Sequence, residues 1–209
     1  MSLSAFTAYQ TLLEHGDCEA ATLEADLEAK MRNAQRSVLV TAASGGVGCW
    51  ILQLAREAGV ENILAVCGSG NKDFVQGLGA TEVIDRNDTS IGTWVAANQD
   101  RKPHLVLDCV GGMTTAECWS AVNDRGILIS IVNPPDATKL NDNVAEGVRS
   151  KFFVMEPKGE QLRVIGQLLE SGKCHPAVDS VFPIESFQQA FDRAASGHAG
   201  GKVIIEVAT

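Results

Sequence analysis

Three glycines fall within four positions in TAASGGVGCW, residues 41–50, directly after SVLV and ahead of WILQLAREAG. A glycine cluster between two apolar segments marks a tight turn or a close approach of backbone to something else. The run Ala43-x-Gly45-x-x-Gly48 has the spacing of a dinucleotide fingerprint, with Ala43 in place of its first glycine. In that arrangement the middle glycine lets the backbone meet a pyrophosphate. The last lets the helix close on the strand, and the N–H groups at the helix start face the phosphates. Ala43, Ser44, Gly45, Gly46, Val47 and Gly48 are therefore candidate cofactor contacts, against the plainer reading of a tight strand-to-helix turn.

The residues downstream bear on which nucleotide would fit. An NAD site usually places an acid at the end of the second strand, about 20 residues on, to bond the ribose hydroxyls. Between Glu61 and Asp73 this chain has no acid. It has Ser69, Asn71 and Lys72, followed by Arg86 after the next apolar run. A hydroxyl, an amide and two cations suit a 2′-phosphate, so the expected cofactor is NADP(H) rather than NAD(H), with Lys72 and Arg86 as phosphate ligands rather than plain surface cations.

Other chemistries lack their residues. A Tyr-x-x-x-Lys pair after the glycine loop is impossible, because Tyr9 is the one tyrosine. A phosphate-binding P-loop needs Gly-Lys-Ser/Thr where this chain has Gly48-Cys49-Trp50. The hydrolase motif GxSxG is not met, since Ser44 precedes the glycines. His15, His104, His175 and His198 are isolated and none lies in HExxH, so no metal is expected. Cysteines 18, 49, 67, 109, 118 and 174 form no CxxC pair and read as reduced, mostly packed thiols of an intracellular protein.

The elements that must hold these residues follow from periodicity. Phe6, Tyr9, Leu12 and Leu13 give a helix over 4–15, and the Glu/Ala-rich stretch 19–33 reads as a second, mostly solvated helix. Strands are expected at 37–42, 62–67, 82–85, 104–109 and 126–132. The helices between them start near 47, 73, 90 and 114. These strands are continuous apolar runs, as in strands buried on both faces. The fold class is α/β, a Rossmann-type doubly wound parallel sheet with helices on both faces. NPPDATKLNDN, 133–143, reads as a surface loop. A strand at 151–157, a helix at 159–172, VDSVFPI, a helix on SFQQAFDRAASG and a strand on KVIIEV complete the chain.

The 209 residues carry a net charge of −9, which gives no electrostatic reason to bind nucleic acid or an anionic membrane. The longest apolar run, GILISIV, is far short of the ~20 residues of a membrane span. A cytoplasmic location is expected over a mitochondrial one.

SAFTAYQTLL, VLVTAASGGVGCWILQLAREAG, FVQGLGATEVIDR, LVLDCVGG, KFFVMEPKGEQLRVIGQLLESGK and VFPIESFQQAFDRAASGHAGGKVIIEV occur in this order. The series resembles the cofactor-binding part of the medium-chain dehydrogenase/reductases. The branch it is most similar to is the zinc-independent quinone oxidoreductases, including the mitochondrial reticulon-interacting type and enoyl reductases. The resemblance implies that AASGGVG holds the NADPH pyrophosphate and that Ser69, Asn71, Lys72 and Arg86 meet the 2′-phosphate, although many members have tyrosine at the Arg86 position. It implies that Cys109, Val110 and Gly111, with Ile131, Val132 and Asn133, line the nicotinamide side, and that Lys202 closes over the cofactor. The implied reaction is hydride transfer to a small-molecule quinone or α,β-unsaturated carbonyl; no catalytic acid can be named.

Family members begin with a GroES-like substrate domain, which is expected to be missing here, with Met-Ser-Leu as a leader. The expected divisions are lead-in helices at 1–34, a nucleotide-binding domain at 35–175, and a segment at 176–209 that returns to the substrate domain. By itself the chain is expected to be inactive. A homodimer through an edge strand is also implied. The alternative is a non-catalytic module that binds NADPH or a protein partner.

Overall fold

The computed structural model describes residues 2–20, 26–139 and 144–207. Six strands form one parallel sheet: β1 (Ser37–Val40), β2 (Asn62–Cys67), β3 (Glu82–Asp85), β4 (Leu105–Asp108), β5 (Ile127–Ser130) and β6 (Arg149–Phe152). Their order is β3-β2-β1-β4-β5-β6, that of a doubly wound Rossmann sheet, and the order reverses between β1 and β4. The register sets Val40, the last residue of β1, beside Ala65 on one side and Leu107 on the other, so β2 and β4 run on past β1 at the carboxyl ends.

The strands alternate between two apolar faces. Val38 and Val40 point into one core layer and Leu39 into the other; all three have no exposed surface. The first layer is covered by α1 (Ser2–Tyr9), α3 (Gly48–Glu57), α4 (Lys72–Leu78) and α7 (Gly159–Glu170), through residues such as Ile51, Val75 and Ile165. The second is covered by α5 (Ile91–Ala97) and α6 (Met113–Ala121), through Trp94 and Trp119. Local chemistry sets the ends of these helices. Ser90 Oγ accepts the Thr93 N–H at 3.0 Å to start α5, and Gly79, at φ +124°, stops α4.

Four expectations change. The helix expected over 19–33 is α2 (Leu27–Ala34), started by Asp26, whose carboxylate accepts the N–H groups of Glu28 and Ala29; Leu23 lies outside the described residues. The first helix turns to π geometry over Gln10–Glu14, where the buried Gln10 amide donates to Glu156 O and Gln161 Oε1. The strand expected at 151–157 is β6, three residues shorter and starting earlier, because Arg149 pairs beside Ile127 and ordered pairing ends at Phe152. Part of the expected loop after β5 is packed: Trp119 Nε1 donates to Pro135 O at 3.0 Å, and Lys139 lies over the Trp119 ring; 140–143 fall outside the described residues.

After α7 the chain makes a separate two-stranded parallel ribbon, β7 (Val178–Pro183) and β8 (Lys202–Glu206), joined by α8 (Phe187–Ala195). An isolated bridge ties it to the main sheet's glycine loop, pairing Gly45 with Gly201.

Candidate cofactor-binding site

A cavity of about 530 Å³ opens at the carboxyl ends of the strands, where the strand order reverses. That is where open α/β sheets bind their ligands. Each wall comes from the segment that follows one strand: Ser44 and Gly45 after β1, Ser69 and Asn71 after β2, Arg86 and Thr89 after β3, and Val110, with Thr114 and Glu117 of α6, after β4. Gly197, His198 and Ala199 close it from the C-terminal ribbon.

The glycine loop is built as a cradle. Ala42 stands at φ +46°, and the Gly45 N–H returns to Ala42 O at 2.8 Å, which turns the chain sharply out of β1. A Cβ on Gly48 would lie 2.4 Å from Ala42 O and 2.7 Å from Ala43 Cα, so α3 can start here only on glycine. Gly46 faces a cation instead: a Cβ there would meet Lys202 Nζ at 2.7 Å. Gly46 and Val47 N–H groups, just before the ten-residue α3, have no hydrogen-bond partner among the described residues. Open N–H groups, a helix start and an overhanging ammonium are of the kind that suits an anionic group. Ala43 itself is fully buried; its N–H bonds Val66 O.

At the other end of the cavity Arg86 lies across the end of β2, its Nε 3.7 Å and Nη2 4.0 Å from where a Gly68 Cβ would stand. Asn87 Nδ2 donates to Ser69 Oγ at 3.0 Å, tying the loops after β2 and β3 together. Lys72 turns away. Its Nζ pairs with Asp85 Oδ2 at 2.8 Å and Asp88 Oδ2 at 3.4 Å, and it does not line the cavity. The Lys72 ammonium and the Asn87 N–H hold the Asp85 carboxyl down at about 2.

The loop after β4 hangs on Asp108, a fully buried carboxylate absent from the candidates above. Its Oδ1 accepts from Thr41 Oγ1 at 3.0 Å, Val110 N at 3.0 Å and Gly111 N at 3.2 Å. Its Oδ2 accepts from Gly111 N at 3.1 Å, Thr115 Oγ1 at 2.5 Å and Ser130 Oγ at 3.3 Å. One side chain thereby fixes the ends of β1, β4 and β5 and the start of α6. The signal was present in DCVGG: an acid ending an apolar strand, followed by a glycine turn whose N–H groups need an acceptor. Gly111, Val132 and Asn133 do come together, with a Gly111 Cβ position 2.9 Å from Val132 Cγ1 and 3.6 Å from Asn133 Oδ1. Ile131 leaves β5 on a hydrogen bond from its N–H to Asp108 O. Val110, Met113 and Val132 form an exposed apolar rim beside them. Burial pushes the Cys109 thiol up to about 12, which disfavours its thiolate form.

Residues 78–205 match the family described as zinc-binding dehydrogenase. The chain belongs to that family, within the medium-chain dehydrogenase/reductases. It is 43% identical over 205 residues to the "Probable zinc-binding oxidoreductase, mitochondrial" of Arthroderma benhamiae, covering 98% of this chain and 60% of that protein. It is 32% identical to the "Chloroplast envelope quinone oxidoreductase homolog" of Arabidopsis thaliana, covering 90% of this chain and 57% of that one. In fold it matches the quinone oxidoreductase from Coxiella burnetii with a TM-score of 0.81 at 20% identity, over 98% of this chain and 58% of that one. This medium-chain dehydrogenase/reductase chain thus spans about 60% of the length of the relatives it matches. Despite the family's description, no three His, Cys, Asp or Glu side chains converge among the described residues, so these residues do not fit a zinc ion.

Proposed function

We propose that the cavity holds NADP(H), and that the whole protein is an oxidoreductase reducing a quinone or an α,β-unsaturated carbonyl compound by hydride transfer. The observation that carries this reading is the glycine loop at the strand reversal, with Lys202 above Gly46 and Arg86 across the end of β2. Ser44 to Gly48 and Lys202 would hold the diphosphate. Ser69, Asn71 and Arg86 would surround the adenosine ribose. Cys109 to Gly111, with Ile131, Val132 and Asn133, would flank the nicotinamide. Bound there, the cofactor supplies the hydride. This chain's own residues bind and orient it, and the Asp108 network keeps the nicotinamide side rigid. The apolar rim of Val110, Met113 and Val132 suits a flat, weakly polar acceptor. Unpaired thiols suit an intracellular setting. A homodimer would form through the open edge of β6 and is read by sedimentation equilibrium.

Calorimetric titration with NADPH and with NADH tests the reading. NADPH is expected to bind more tightly, and Lys202→Met to weaken both about tenfold, since the diphosphate is common to them. Binding of neither nucleotide would overturn the proposal.

A further inference from the structure

His15 closes the π turn of the first helix, and Lys151 stands opposite Ile129 in β6, at the open edge of the sheet. Their side chains meet: Lys151 Nζ lies 3.1 Å from His15 Nδ1. An ammonium only donates, so Nδ1 accepts and the imidazole is neutral, with its proton on Nε2. Both residues are half-buried, and the ring packs edge-on against Phe153 at 4.7 Å. Lys151 has no carboxylate partner among the described residues, so the imidazole is the acceptor that holds it. The acids nearby are committed elsewhere. Glu14 takes Lys158 Nζ at 2.8 Å and the Gln161 amide, and Asp17 pairs with Arg149 of β6. Burial first, then the Lys151 ammonium, lowers the pKa of His15; Glu14 opposes them and Lys158 adds least.

We propose that the His15–Lys151 contact is a pH-sensitive joint, which holds edge strand β6 to the end of the first helix at neutral pH and releases it when the ring gains a proton. Protonation turns the accepting nitrogen into a donor and sets two positive charges side by side. Neither Glu14 nor Asp17 offsets the new charge without giving up its own cation. The Arg149–Asp17 pair is then left to hold that side of β6. An unfolded histidine titrates near about 6.5. Folded His15 binds its proton more weakly, so the hold is complete above that value and is lost as the pH falls through the lower, folded one.

Magnetic resonance of the whole chain, with ring titration and amide exchange followed from about pH 8 to about pH 5, tests this. The His15 ring is expected to titrate below the usual value of about 6.5 and to carry its proton on Nε2 at the alkaline end. Protection of the β6 amides, corrected for intrinsic exchange, should fall about three- to tenfold across that range. The Thr41 N–H, bonded to Leu107 O in the middle of the sheet, should keep its protection. His15→Gln offers an uncharged acceptor and should remove the fall. Lys151→Met should remove it too, and should raise the His15 titration toward the usual value. Where either variant fails to fold, the ring titration and tautomer of the unaltered protein still decide. The proposal is overturned if His15 titrates at or above the usual value, if its neutral ring carries the proton on Nδ1, or if the fall persists in His15→Gln. A fall of equal size at Thr41 would mean general loosening and overturns it as well.

Discussion

At the scale of single residues, the glycines of the loop are not equivalent. Gly48 is required by packing, since any side chain would enter the backbone of Ala42 and Ala43. Gly46 leaves room for the Lys202 ammonium. Gly70, which also lines the cavity, has nothing within 4 Å of its Cβ position. Gly48→Ala should therefore cost about 1–3 kcal/mol, as overpacking does, while Gly70→Ala should stay within about 0.5 kcal/mol. Urea unfolding of the two variants measures the difference. Equal stabilities would show that the loop can open and that the close approach is not needed.

At the scale of elements, two buried or half-buried carboxylates act as joints. Asp108 gathers the ends of three strands. Asp108→Asn puts an amide N–H₂ where an oxygen accepted hydrogen bonds, and should cost about 1–3 kcal/mol. Amide exchange at Gly111, which loses one of its two acceptor oxygens, should quicken with it; unchanged exchange there would mean that one oxygen is enough to hold the turn. Asp179 joins β7 to α8 by accepting from Arg193 Nε at 2.8 Å and Nη2 at 2.5 Å, and it also takes the Gly200 N–H at 2.8 Å. The Arg193 guanidinium holds its carboxyl well below the usual range, as Lys72 holds Asp85 at about 2. An unfolded aspartate titrates near about 3.9. The folded carboxyls bind protons more weakly, so their contribution is complete above about pH 5 and is lost as pH falls toward about 2. Thermal melts between those values should show a steep acid limb that flattens in Asp179→Asn. A limb of unchanged slope would count against the Arg193 pair.

At the scale of the whole molecule, the C-terminal ribbon does two things. It straps the glycine loop through Gly201 N–H to Ser44 O at 2.8 Å, and it carries an exposed apolar face of Val181, Ile184, Phe187 and Phe191. A face of this kind is unusual on a free surface. Serine at Val181, Phe187 and Phe191 together should lower the fluorescence of a bound hydrophobic dye. It should leave the melting temperature within a few degrees, since exposed positions contribute little to folding. A large fall in melting temperature would place these residues in the core. No described helix is long and apolar enough to cross a membrane.

The sequence by itself determined the fold class and the glycine cradle. Both depend on local pattern: apolar runs in β1, β2, β4 and β5 that pack on both faces, and glycines spaced for one strand-to-helix turn. It also brought Ser69, Asn71 and Arg86 to one end of the cavity, because strands β2 and β3 must end side by side in such a sheet. The start of α2 was less legible, as Asp26 stands among several acids and alanines and only its captured N–H groups single it out. Tertiary structure alone decided which charges are spent and which are free. Lys72 and Asp85 are thirteen residues apart and Gly46 and Lys202 far more. Their meeting is set by how strands stack and a ribbon folds back, and no periodicity records that.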